Sequence, residues 1–141
     1  LQGGLGHDSV LGGNGSDALF GGWGDDVVDG RDGDAPAQDY VNGGGGDDTL
    51  IGDRLDILTG GAGADVFDLA ADPGSAEVMD FEPGQDRLVI SYTGTDAPDL
   101  SLEPDPETDG ALRLMADGTQ IALLRGAEGL TVDQIALVAR G

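Results

Sequence analysis

The sequence has no cysteine and no lysine, a single histidine and a single tryptophan, and six basic side chains against 28 acidic ones in 141 residues. Without cysteine there are no disulfides, thiolate metal sites or thiol nucleophiles, and the redox compartment is left open. A formal charge of -22 with so few cations excludes nucleic-acid binding, which needs cationic side chains to displace phosphate counterions. Attraction to anionic membrane surfaces fails for the same reason. No apolar run approaches the ~18 residues of a membrane span. The first residues lack the basic and apolar regions of a signal peptide, so export would have to be signalled elsewhere. Aromatic residues are 4% of the chain, while the 27 glycines are about three times the usual share. Something other than a thick apolar core must hold the fold.

What is present is unevenly placed. Of the 28 acidic residues 23 are Asp, and the five Glu (Glu77, Glu82, Glu103, Glu107, Glu128) all fall in the second half. Residues 1 to 68 also hold 19 of the 27 glycines, so composition changes near residue 69. The first half repeats with a nine-residue period. Its units start at Gly3, Gly12 and Gly21 (GGLGHDSVL, GGNGSDALF, GGWGDDVVD), and Gly43 (GGGGDDTLI) and Gly60 (GGAGADVFD) restore the pattern. Between these lie Gly30 to Asn42, which carries the four-residue insertion Ala35 to Gln38, and Gly52 to Thr59, which is one residue short. Leu1 and Gln2 read as the last two positions of a preceding unit, as in a piece of a longer protein.

In a GGxGxDxUx unit, glycines at positions 1, 2 and 4 permit positive φ and a tight turn lined by carbonyl oxygens. The Asp at position 6 adds a short carboxylate, and such a set of hard oxygen donors suits Ca²⁺ better than transition metals. Position 8 carries the one inward apolar residue: Val10, Leu19, Val28, Val41, Leu50, Leu58 and Phe67. Positions 7 and 9 face outward on a three-residue strand. One buried Val or Leu contributes roughly 1.5 to 3 kcal/mol, less than the ordering of nine backbones costs at roughly 1 to 2 kcal/mol each. Stacked units also set equivalent Asp residues about 5 Å apart, well inside a Debye length. A bound cation relieves both problems.

This array resembles the RTX, or hemolysin-type, calcium-binding repeats of bacterial proteins secreted by the type I route. The resemblance implies an all-β fold: a right-handed parallel β-roll over residues 1 to 68, two nonapeptides per turn, followed by a small β-rich cap over residues 69 to 141. Each Ca²⁺ would lie between stacked loops. It would take carbonyls at positions 2 and 4 with the Asp of the earlier loop, and carbonyls at positions 1 and 3 with the Asp of the later one. Carried onto this chain, one ion would use Gly4, Gly6 and Asp8 with Gly21, Trp23 and Asp26. A second would use Gly22, Gly24 and Asp26 with Gly43, Gly45 and Asp48, and a third Gly44, Gly46 and Asp48 with Gly60, Ala62 and Asp65. On the opposite side, Gly13, Gly15 and Asp17 would meet Gly30, Asp32 and Asp39, and the short unit offers only Gly52 and Asp56. Three to five ions are expected.

In the second half, residues 76 to 91 read as two strands joined by Glu82-Pro83-Gly84-Gln85. Ala111 to Met115 and Gln120 to Leu124 flank the hairpin signal Asp117-Gly118. Thr131 to Gln134 has capping-box spacing ahead of a short apolar helix or turn. Val78 to Leu88 and the stretch from Gly118 to Ile135 also resemble serralysin-type C-terminal domains. That resemblance implies a cap, an ABC exporter as partner during secretion, and an extracellular destination for a larger protein with an upstream domain.

Other motifs are read as structural. His7 sits at a variable loop position, so a solvated side chain is favoured over a zinc ligand, and one histidine cannot supply a catalytic triad. Gly13 to Ala18 fits GxGxxA but lies inside the repeat. Asp105, Glu107, Asp109 and Gly110 imitate an EF-hand start, yet Ala116 stands where a bidentate Glu is required. Trp23 reads as a loop-surface residue. Leu11, Phe20 and Ile51 are apolar at the outward position 9, and no aromatic platform for sugars is evident. The function expected is calcium-gated folding of a structural and secretion module; the alternative is an accessory module like those of alginate epimerases.

Overall fold

A repeat with one inward side chain forms a short strand, and such strands gain a core only by stacking. The computed structural model shows this, describing residues 2–30, 37–52, 55–70, 76–82, 84–92, 96–107, 110–127 and 129–139. The strands are β1 (Gln2–Leu5), β2 (Ser9–Leu11), β3 (Ala18–Trp23), β4 (Val27–Asp29), β5 (Tyr40–Gly45), β6 (Thr49–Gly52) and β7 (Ile57–Thr59). They continue as β8 (Val66–Ala70), β9 (Ala76–Val78), β10 (Arg87–Tyr92), β11 (Leu100–Pro104), β12 (Leu112–Ala116), β13 (Thr119–Leu124) and β14 (Ile135–Ala139). Odd-numbered strands β1 to β9 pair in parallel in one sheet, and even-numbered strands β2 to β10 in another. The chain therefore alternates sheets with every repeat, two repeats per turn, as a parallel β-roll requires.

Register locks the core. Val10, Val28, Leu50, Phe67 and Leu88 stand opposite one another through the second sheet. Leu19, Val41, Leu58 and Val78 do so through the first. All seven position-8 residues are buried, Val10 being the most accessible at 6%. Both irregular units keep this register. Ala18 and Leu19 pair with Tyr40 and Val41 across the insertion, and Leu58 pairs with Val41 although its unit is short. Leu55 in the short unit takes a left-handed φ of 77°, a role glycine fills in the regular repeats.

The composition change near residue 69 falls inside β8, and both sheets run on past it. The two strands expected over residues 76 to 91 are β9 and β10. They enter different sheets rather than forming a hairpin, because they continue the alternation of the roll. The first sheet then extends through β13, parallel to β9, and through antiparallel β12 and β11. The β12–β13 turn has positive φ at both Asp117 (51°) and Gly118 (84°), the type I′ geometry that an Asp-Gly pair favours. Thr131 N–H donates to Gln134 Oε1 (3.1 Å) over a single 3₁₀ turn, Val132–Gln134. Strand β14 follows and pairs with β10, so no helix forms there. Phe81 packs on Phe67 with ring centroids 5.9 Å apart, inside one apolar core that runs from Val10 to Ile135. Among the described residues no helix is long and apolar enough to cross a membrane.

In calcium-saturated protein, Leu50→Ala in the middle of the ladder is expected to cost about 2–5 kcal/mol in chemical unfolding. Leu11→Ala, on the outward position, is expected to stay within about 0.5 kcal/mol.

Candidate metal centre

The turns between strands carry the polar chemistry. Positions 2 and 4 take the left-handed backbone, as in Gly22 (96°), Gly24 (105°), Gly44 (90°) and Gly46 (103°). Their turns also stack closely: a Cβ on Gly24 would collide with the carbonyl oxygen of Gly6, and one on Gly44 with that of Gly22. Position 1 differs from expectation, since Gly3, Gly21, Gly43 and Gly60 do not adopt positive φ. Their requirement is space. A Cβ on Gly21 would stand 2.8 Å from Asp26 Oδ2, and one on Gly3 the same distance from Asp8 Oδ2. The units starting at Gly3, Gly21, Gly43 and Gly60 thus fold their own Asp carboxylate over the first residue, where only hydrogen leaves room.

These carboxylates form a ladder. Asp8 N–H donates to Asp26 Oδ1 (2.8 Å), Asp26 N–H to Asp48 Oδ1 (2.8 Å), and Asp48 N–H to Asp65 Oδ1 (2.9 Å). On the other side, Asp17 N–H donates to Asp39 Oδ1 (2.6 Å) and Asp39 N–H to Asp56 Oδ1 (3.0 Å). The degenerate units therefore place Asp39 and Asp56 in line with Asp17; Asp32 lies outside the described residues. The ladder consumes Oδ1 of Asp26, Asp39, Asp48, Asp56 and Asp65. Oδ2 of Asp8, Asp17, Asp26, Asp48 and Asp65 is buried without a hydrogen-bond partner. Leaving a buried acceptor unsatisfied costs about 1–3 kcal/mol, more when it is charged.

A second ladder at position 5 is not evident from sequence. Asp25 N–H donates to His7 Nδ1 (3.0 Å), Asp47 N–H to Asp25 Oδ1 (2.7 Å), and Ala64 N–H to Asp47 Oδ1 (2.8 Å). His7 is thus exposed but held, accepting the next turn's amide. The acidic ladder also reaches Asp86: Asp65 N–H donates to its Oδ1 (2.9 Å), while Glu82 N–H donates to its Oδ2 (3.0 Å). Gly84 takes the position-4 φ of 91°, and Leu88 the position-8 place. The signal was the G-x-D-x-U spacing of Gly84, Asp86 and Leu88. Asp80 accepts from Gly60 N–H (2.9 Å) and Gly61 N–H (2.8 Å), fastening the last regular turn to the segment after it. Asp105 pairs with Arg113 (3.2 Å), which occupies the carboxylate of the EF-hand-like stretch.

Among the described residues no three His, Cys, Asp or Glu side chains converge. An ion here must therefore draw on main-chain carbonyls as well as carboxylates, and a shell of oxygens alone favours a hard cation. Burial, reinforced by neighbouring carboxylates, pushes the Asp48 carboxyl up to about 6 and the Asp65 carboxyl up to about 7, against an ordinary 3.8. Burial raises Asp86 as well. A carboxyl raised in the fold stabilises it most below pH ~4, and the contribution is lost as pH rises through the folded values. Metal-free protein is accordingly expected to gain strand signal by circular dichroism on acidification from pH 7.5 to 4.5. Calcium affinity, measured by titration calorimetry, is expected to fall over the same range because protons compete for the same oxygens.

Comparison with known proteins agrees with this geometry. The family model of the RTX calcium-binding nonapeptide repeat (4 copies) matches residues 2–34, 37–54 and 55–72. No curated protein matches the chain. Similar solved structures include the AlgE6R2 subunit of the Azotobacter vinelandii mannuronan C5-epimerase, at 27% identity and a TM-score of 0.62, covering 94% of both chains. The AlgE6R3 subunit of the same bacterium's mannuronan C5-epimerase is 25% identical with a TM-score of 0.52, covering 94% of this chain and 78% of that one. With its turns stacked in register and its aspartates aligned along the stack, residues 2–72 belong to the RTX calcium-binding nonapeptide repeat family, and the protein is a calcium-binding repeat module.

Proposed function

We propose that the module folds when calcium reaches it outside the cell and serves as the C-terminal structural and secretion region of a larger exported bacterial protein. The buried, unpartnered Oδ2 atoms carry this reading. Unfilled, they oppose the fold; with a divalent ion between turns they become its ligands. The ion between the first pair of turns would be held by Gly4, Gly6 and Asp8 with Gly21, Trp23 and Asp26. Gly22, Gly24, Gly43, Gly45 and Asp48 would join Asp26 around the second ion. Gly44, Gly46, Gly60, Ala62 and Asp65 would join Asp48 around the third. Gly13, Gly15, Asp17, Gly30 and Asp39 would serve the other side, where Asp39 keeps the register.

Scarce cytosolic calcium would leave sites of the extracellular class (Kd roughly 10⁻⁴ to 10⁻³ M) empty and the chain extended for an ABC exporter. At about ten times Kd outside, each filled site would contribute about 1.4 kcal/mol. A second reading, an accessory module of a polysaccharide-active enzyme, is favoured by the likeness to two subunits of a mannuronan C5-epimerase over 94% of this chain.

Circular dichroism in calcium and in chelator at neutral pH tests the gating; strand signal that persists unchanged in chelator refutes it. Calcium counted by atomic emission on the folded protein tests the shared-ligand arrangement. Asp26→Ala, which stands between two ion positions, is expected to lose two ions and Asp8→Ala one. Equal losses would show that the carboxylates are not shared.

A further inference from the structure

Only six aromatic side chains occur in the chain, and two of them, Phe67 and Phe81, fill the core. Phe20, Trp23 and Tyr40 are instead 42%, 70% and 54% exposed. All three lie on the outer face of the first sheet. Phe20 and Tyr40 flank the buried Leu19 and Val41 on adjacent strands β3 and β5. Trp23 and Leu5, paired in register, line with Phe20 an apolar groove of about 220 Å³ completed by Gln2, Gly4 and Gly22. The Trp23 ring is prearranged: it lies against the next turn at Gly45, where a Cβ would stand 2.7 Å from its Cε3.

The chemistry of the surrounding rows narrows the occupant. Across the strands run Gln2, Phe20, Asn42 and Thr59 in one row and Ala18, Tyr40 and Ile57 in the next. Neither row carries a charge, in a chain of formal charge -22. The charged residue that continues the second row is Glu77, already paired with Arg125. Repulsion from the rest of the molecule disfavours a polyanion unless cations bridge it. An apolar protein face would bury the amides of Gln2 and Asn42 and the hydroxyl of Thr59 without partners. Pyranose rings satisfy both features, placing C–H faces on aromatic rings and hydroxyls on amides.

Resting on the accessory-module reading, we propose that the outer face of the first sheet, centred on Trp23, Phe20 and Tyr40, binds an uncharged polysaccharide segment. Trp23 would couple this face to the metal, since its carbonyl is a proposed calcium ligand while its ring faces out. Glycan binding would then require calcium.

Titration calorimetry in saturating calcium with mannohexaose and with oligomannuronate tests this. Mannohexaose is expected to bind, and Trp23→Ala, which keeps the backbone carbonyl, to bind about tenfold more weakly, as for loss of one stacking contact. Circular dichroism in calcium confirms that the variant folds, and chelator is expected to abolish binding by the parent. Equal mannohexaose affinity in parent and variant overturns the assignment of this face. Binding of oligomannuronate alone overturns the proposal but leaves the accessory-module reading standing. If neither glycan binds, both fall together.

Discussion

Like charges stacked at the spacing of β-strands are the constraint on which this molecule turns. Each turn repeats an aspartate directly over the last, and the carboxylates of Asp26, Asp48 and Asp65 spend one oxygen on the preceding turn's amide while the other is buried. Hydrogen bonding fixes where the charge sits without neutralising it. The apolar ladder beneath is one side chain wide per repeat, too thin to offset several buried anions. In the proposed function a divalent cation supplies the missing term, and the glycines allow the close approach of turns that such a site requires.

The strength of this arrangement lies in register rather than in any single contact. The same inward position, amide-to-carboxylate bond and left-handed turn recur along the array, so a local defect is absorbed if the register survives. The four-residue insertion and the missing residue both leave Leu19, Val41 and Leu58 aligned. In the short unit Leu55 accepts a backbone conformation that costs a side-chain-bearing residue energy. Register also explains how the roll passes into its C-terminal part without a seam, since β9 and β10 keep the alternation after the glycine-rich pattern has faded.

Much of this was legible in the sequence because the repeat forces one residue type at one position. The inward residues, the recurring aspartates and the Asp117-Gly118 hairpin follow from spacing, and the pairing of alternate units is what the resemblance to RTX repeats implies. Four features were not, the first being the position-5 ladder, which exists only once the turns are stacked. The position-1 glycines serve volume rather than φ, a distinction that composition cannot make. The extension to Asp86 was hidden because Phe81 and Glu82 replace the two leading glycines, leaving only the G-x-D-x-U remnant. The grouping of Phe20, Trp23 and Tyr40 depends on which strands become neighbours, and these residues occupy three different repeat positions.

The two side-chain ladders run in opposite senses. Position-6 carboxylates reach back to the preceding turn, whereas position-5 side chains receive the amide of the following one. The joins between the regular units are therefore directional and share one pattern of amide and side-chain acceptor. Duplicating a pair of nonapeptides inside the gene would lengthen the roll by one turn and create no junction the protein does not already contain. Reversing a turn, or abutting two like ends, would set donor against donor. Growth by internal copying is the route such an architecture leaves open to evolution, and the length of the array can drift while its chemistry stays constant.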